Sequence, residues 1–184
     1  MRITNELYRR TWKCLHRLRL GVNDACISAN AAEPWRCIFA QYTLPHIKTP
    51  FFVAEGAYDS WQLGNLLQLP CRTCAEDGKA DCCGNSTFTA AFLEYGTTMK
   101  STIKTALATP PSTVGPASRG AFVSACIVHC QTVFNEGEDR WDAWQVGGRK
   151  PREVFHSFYF GDGGSTMAID PLIYPQNPSC PVWT

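Results

Sequence analysis

Two residues of this chain have the type and setting for acid–base chemistry, and each follows an apolar run. Phe51-Phe-Val-Ala54, inside the stretch from Lys48 to Trp61, leads to Asp59, and Ala121-Phe-Val-Ser-Ala-Cys-Ile-Val128 leads to His129. Nucleophilic hydrolysis needs a base to take a proton from the attacking group and a carboxylate to orient that base. Histidine suits the first role because its unperturbed pKa lies near neutrality. Both residues also have plain structural readings. An Asp after a strand commonly caps a turn, and a His beside an apolar strand is commonly a hydrogen-bonded core residue.

The elements that must position this pair follow from pattern. Neither apolar run alternates with polar residues, as expected for strands of a parallel sheet covered on both faces. Between them, Asn85, Ser86 or Thr87 caps a helix running to about Leu107, with Phe88, Phe92, Tyr95, Met99 and Ile103 on one side. Strand, long helix and strand make a βαβ unit, whose crossover permits parallel pairing. Sites form at the carboxyl ends of such strands, so Asp59 and His129 are expected to converge. Elsewhere the pattern gives an amphipathic helix over residues 4 to 19, a loop over 22 to 37, and an apolar stretch from Phe39 to His46. A short helix begins near Ser60, a cysteine-rich loop covers 70 to 86, and a Pro/Ser/Gly-rich connection covers 109 to 120. Short ordered segments follow at Glu136 to Gln145 and Val154 to Phe160, then a Gly/Pro-rich tail.

The chain has 184 residues and 45% hydrophobic content, enough for one domain with a packed core. A net charge of +1 argues against nucleic acid as partner. Arg9, Arg10, Lys13, Arg17 and Arg19 form the basic cluster, which reads as the solvated face of the first helix. No run of 18 apolar residues provides a membrane span. Ten cysteines suit an oxidising compartment, and Asn85-Ser-Thr87 is an acceptor pattern for glycosylation. The first 20 residues nevertheless lack a secretory signal. That conflict points to a missing N-terminal part. Cys71, Cys74, Cys82 and Cys83 admit a zinc reading, but adjacent cysteines rarely bind one ion, and disulfides are favoured. Cys130 is excluded as a nucleophile for His129, because neighbouring strand residues face opposite ways.

Several segments carry a resemblance. C-I-F-A-Q-Y (37 to 42), I-K-T-P-F-F-V (47 to 53), A-Y-D-S-W-Q (57 to 62) and A-C-I-V-H-C-Q (125 to 131) resemble the pectin acetylesterase family, plant-type members above all, to which Notum-type carboxylesterases are related. The resemblance covers about residues 22 to 184. It implies the C-terminal portion of an α/β-hydrolase fold, a parallel sheet flanked by helices with a disulfide-rich loop, as a single incomplete domain over 1–184. It implies a serine carboxylesterase that removes O-acetyl groups from cell-wall pectin, secreted and extracellular, with no cofactor or metal. Asp59 becomes the acid and His129 the base, in the Ser, Asp, His order of α/β-hydrolases. Ile38 and Phe39 stand where the family has paired aromatics at the mouth of the acyl pocket, although Ile38 also reads as a core residue. The resemblance further suggests one disulfide between Cys26 and Cys37 and another inside the 71 to 83 loop. A bridge from Cys130 or Cys126 to Cys180 would hold the tail against the histidine loop.

The chain departs from the family in one respect that decides activity. No G-x-S-x-G nucleophile motif occurs in it. Pro116-Ala-Ser-Arg-Gly120 is the nearest mimic, but it follows Asp59 in a Pro-rich connection, and Gly163-Gly164-Ser165 is no better. The expectation is a chain that holds acid and base but not nucleophile, and that is inactive alone. The alternative is a non-catalytic, disulfide-stabilised binding or structural protein derived from the same fold.

Overall fold

A computed structural model describes residues 21–69, 86–108, 119–129 and 143–180. The helix expected at 4 to 19, the cysteine loop with Asn85, the Ser118 region and most of the segment from Glu136 lie outside the described residues. The chain divides into two compact units, one of Met1–Pro50 with Ile103–Pro116, the other of Phe51–Thr102 with Ala117–Thr184.

In the first unit the stretch expected as a loop contains helix α1 (Asp24–Ala29) and a 3-10 turn (Pro34–Ile38). Two local signals account for the difference. The Asn23 side chain accepts the Cys26 N–H at 3.0 Å and so caps α1, and Pro34 starts the turn where its missing N–H costs nothing. A disulfide joins Cys26 to Cys37. Helix α2 (Ala40–Thr43) and a second 3-10 turn (Leu44–His46) follow.

The second unit is built on three parallel strands in the order β1 (Phe51–Asp59), β2 (Arg119–Val128) and β3 (Met167–Ile169). This is a mixed helix-and-strand architecture consistent with part of an α/β-hydrolase sheet. Strand β2 lies in the middle and every one of its ten residues is buried, which is why its sequence is apolar without alternation. Among the described residues β1 pairs on one side only. Strand β1 is longer than its apolar run. Glu55 and Gly56 interrupt the pattern, yet pairing continues to Asp59. Strand β3 has only three residues inside a Gly/Pro-rich tail, too few for a periodic signal.

Helix α3 (Ser86–Ala108) provides the crossover and extends one residue past the expected end. Its buried positions include Phe92 and Lys100, while Phe88, expected on the inner side, is 37% exposed. Gly96 lies against the Tyr58 ring so closely that a Cβ there would sit 2.2 Å from ring carbon. Phe92 stacks on the same ring at 4.5 Å. Helix α4 (Pro151–Phe160) replaces the shorter segment expected from Val154. Pro151 opens it, the Glu153 carboxylate accepts the Lys150 N–H at 2.8 Å, and Gly161 closes it at φ +66°. Val154 packs into the core with Phe122, Cys126, Val128, Trp144, Val146 and Ala168.

The tail is fixed to β2 in two ways. Cys126 bonds to Cys180, 54 residues away, which chooses between the two partners expected for Cys180. Asp170 is buried, accepts the N–H groups of Ala125 and Leu172 at 3.1 and 3.0 Å, and takes a hydrogen bond from the Asn177 amide.

Candidate active site

Asp59 is the last residue of β1, and His129 directly follows β2. Because the strands are parallel neighbours, both residues arrive at the same end of the sheet. The ladder is not regular there. Its register slips between Gly56 and Tyr58, so that Asp59 comes opposite Val128. Gly56 allows this close approach, since a Cβ would fall 2.4 Å from Val128 Cγ2 and 3.2 Å from the Cys126 carbonyl. Irregularities of this kind re-aim side chains at sheet ends. Here the slip precedes the placement of the imidazole beside the carboxylate.

His129 Nδ1 lies 2.8 Å from Asp59 Oδ2, and the Gln62 N–H donates to Asp59 Oδ1 at 2.7 Å. Asp59 thus engages both of its oxygens: Oδ1 accepts the Gln62 N–H at the start of the turn over Gln62–Leu66, and Oδ2 meets the imidazole. An ionised carboxylate only accepts hydrogen bonds, so Nδ1 carries the hydrogen and Nε2 the free lone pair. The Asp59 side chain is 6% exposed and that of His129 is 43% exposed. A buried orienting acid with a solvent-facing base is the arrangement that general-base chemistry needs. Trp61, half-exposed, lies nearly parallel to the imidazole with centroids 6.3 Å apart.

Two further ionisable groups feel the charge of Asp59, and the sequence patterns did not mark them as site residues. Glu55 accepts the Gly56 N–H at 3.0 Å. Burial pushes its carboxyl up from the ordinary range; the Gly56 N–H opposes that rise, the Asp59 charge adds to it, and His129 counters it. Tyr95 of α3 has its hydroxyl buried with no hydrogen-bond partner among the described residues. Burial raises its phenol well above the ordinary value, and the charges of Asp59 and Glu55 raise it further. A carboxylate within an otherwise apolar run was the available signal for Glu55. Tyr95 had none, since its spacing matched an apolar helix face.

Ile38 and Phe39 are half-buried in the first unit, where Trp35 meets the Phe39 ring edge-on at 6.1 Å. Among the described residues no cluster of His, Cys, Asp or Glu is arranged to hold a metal ion, and no helix there is long and apolar enough to cross a membrane.

The sequence pattern of the pectinacetylesterase family matches residues 1–181. The chain belongs to that family. The match begins at residue 1, earlier than the motif resemblance at about 22. Among curated relatives, pectin acetylesterase 7 of Arabidopsis thaliana is 28% identical over 91% of the chain and 41% of its own length. Pectin acetylesterase 11 of the same plant is 30% identical over 83% of the chain and 38% of its own length. The palmitoleoyl-protein carboxylesterase Notum of Drosophila melanogaster matches at 33% identity, over 33% of the chain and 8% of the relative. The chain thus spans about two fifths of the length of the pectin acetylesterases it matches.

Proposed function

We propose that this chain supplies the acid–base pair of a serine carboxylesterase acting on O-acetyl groups of pectin. The observation that carries the reading is the Asp59–His129 contact of 2.8 Å, made by residues 70 positions apart at the ends of adjacent parallel strands. Membership of the pectinacetylesterase family supports the ester and the polysaccharide.

In this reading His129 Nε2 takes the proton of a serine hydroxyl as the oxygen attacks the acetyl carbonyl. The imidazolium that forms is held by Asp59 and returns the proton to the departing sugar oxygen, leaving an acetyl-serine that water cleaves by the same route. No G-x-S-x-G is present in the 184 residues, so the nucleophile comes from outside them. Acetylated pectin is the substrate partner, and an extracellular or cell-wall location agrees with the two disulfides found among the described residues. Assignment of Ile38 and Phe39 to an acyl pocket rests on the family resemblance alone. The missing nucleophile motif also favours a second reading, a non-catalytic protein on the same fold.

Acetate release from acetylated pectin and from p-nitrophenyl acetate tests the proposal. The chain alone should release none above its His129→Ala variant. Supplied with the nucleophile segment of a relative, it should gain activity that His129→Ala abolishes. Activity of the chain alone that depends on His129 would sink the external nucleophile, and no gain after supply would favour the non-catalytic reading.

A further inference from the structure

Trp61 stands beside the Asp59–His129 pair, and acid–base chemistry gives it no task. It follows Asp59 by two residues, at the end of the sheet where both members of the pair arrive. Its ring lies 23° from parallel with the imidazole, with centroids 6.3 Å apart. The imidazole is already oriented by Asp59 at 2.8 Å. Trp61 nevertheless remains 48% exposed. An apolar ring left in water forgoes about 25 cal/mol for each Å² that burial would cover.

The support under this ring is fixed. The Gln62 N–H donates to Asp59 Oδ1 at 2.7 Å, the Asn65 side-chain amide donates to the Trp61 carbonyl at 2.9 Å, and Leu63 is fully buried. The Leu67 N–H closes the turn on the Gln62 carbonyl at 3.0 Å, a five-residue span that is rare and frequent at functional sites. One carboxylate thus pins both the turn that presents the indole and the imidazole next to it. An exposed ring on a pinned support loses little freedom when a ligand covers it.

We propose that Trp61 is a specificity-determining residue, whose indole is the platform on which the sugar ring bearing the acetyl ester stacks beside His129. A pyranose presents C–H groups over its faces and oxygens around its rim. The flat apolar face of the indole matches the former and leaves the rim, with its ester, open toward the imidazole. The contact needs no cation, so it accepts a uronate ring as well as a neutral one. This inference rests on the reading of the pair as esterase machinery for acetylated pectin, yet its first test needs no ester hydrolysis.

That test is calorimetric titration of the full chain with an O-acetylated oligogalacturonide. Trp61→Ala should weaken binding roughly fivefold to tenfold, and Trp61→Phe should stay within about threefold of wild type. Trp61→Leu, apolar but without a flat face, should lose as much as Trp61→Ala. Tyr159→Ala, which removes an exposed aromatic of α4, should bind like wild type. Absence of binding to the wild-type chain overturns the proposal, as does wild-type affinity in Trp61→Ala or Trp61→Leu, or an equal loss in Tyr159→Ala. A second measurement separates a platform from a prop for the imidazole. With a nucleophile-bearing segment supplied, Trp61→Ala should lose at least about fivefold more kcat/KM on acetylated pectin than on glycerol triacetate, which has no ring. Equal losses on the two esters overturn the platform. Activity that does not depend on His129 bears instead on the base reading and leaves the binding result standing.

Discussion

The second unit contains two Asp–His pairs with the same wiring. In one, Asp59 gives Oδ1 to the Gln62 N–H and Oδ2 to His129 Nδ1 at 2.8 Å. In the other, Asp162 gives Oδ1 to the Gly164 N–H and Oδ2 to His156 Nδ1 at 3.0 Å. Hydrogen bonding alone does not tell them apart. Their settings do. Asp59 and His129 are 70 residues apart and joined by the sheet, with the acid 6% exposed; His156 and Asp162 are six residues apart at the end of α4, with side chains 58% and 41% exposed. A local, solvated pair is a helix-end device whose charge water screens. A pair assembled by tertiary structure with a desolvated acid is held in one geometry and feels each neighbouring charge. The acid–base role proposed for the first pair rests on this construction, not on its distance.

Catalysis is the sharpest way to break this contrast. With a nucleophile-bearing segment supplied, Asp59→Asn should lower kcat roughly 10³–10⁴-fold, by analogy with loss of the orienting acid in serine hydrolases. Asp162→Asn should leave it within about twofold. Comparable losses in the two variants would remove the distinction.

Stability gives the next largest effect. Cys126 lies three residues before His129, and its bond to Cys180 closes a loop of 54 residues. Cys26–Cys37 closes one of 11. On chain-entropy grounds removal of the first costs about 4 kcal/mol and of the second about 3 kcal/mol. Denaturant unfolding of the paired Ser variants measures both. Removing the Cys126 bridge should also disturb the His129 ring signals and leave those of His156 unchanged.

Gly56→Ala probes the slip in the ladder directly. A methyl group there meets Val128 Cγ2 and a backbone carbonyl, and such overpacking costs about 1–3 kcal/mol. Relief by moving β2 away would draw His129 from Asp59. The His129 ring signals should then move in NMR spectra while those of His156 stay in place. An undisturbed pair in this variant would show that the slip is not what places the histidine.

The sequence made these parts legible to different degrees. Strands β1 and β2 and helix α3 were readable because continuous burial and helical spacing leave a mark on residue type. Asp59 and His129 drew notice as an acid and a histidine that follow those runs. Glu55 was in view but unassigned, since an interruption in an apolar run does not say what faces it. The β1 extension past Ala54 was hidden by that same interruption. Strand β3 is held by pairing with β2 and by the Asp170 network, which are tertiary facts with no local pattern. Helix α1 was hidden by its length, six residues, too few for a periodic pattern.

The smallest effect separates the pairs' neighbourhoods by the sign of their pH dependence. Asp162 is held below the ordinary carboxylate range, chiefly by the Gly164 N–H and then by hydrogen bonds from His156 and Ser157. Its folded state releases the proton more readily than the unfolded chain, so its stabilisation is complete above the unfolded value and fades as pH falls through the folded one. Glu55 is held above that range by burial, so its contribution is complete below the unfolded value and is lost as pH rises through the folded one. Urea midpoints between pH 3 and 8 should therefore diverge in opposite directions. The deficit of Asp162→Asn relative to wild type should shrink on acidification, whereas Glu55→Gln should gain on wild type as the solution becomes less acidic. If Glu55→Gln instead lost ground with rising pH, the carboxylate would be stabilised by its surroundings rather than desolvated. Glu55 would then behave like Asp162 at the end of α4, and the contrast between the two neighbourhoods would narrow to the depth at which Asp59 is buried.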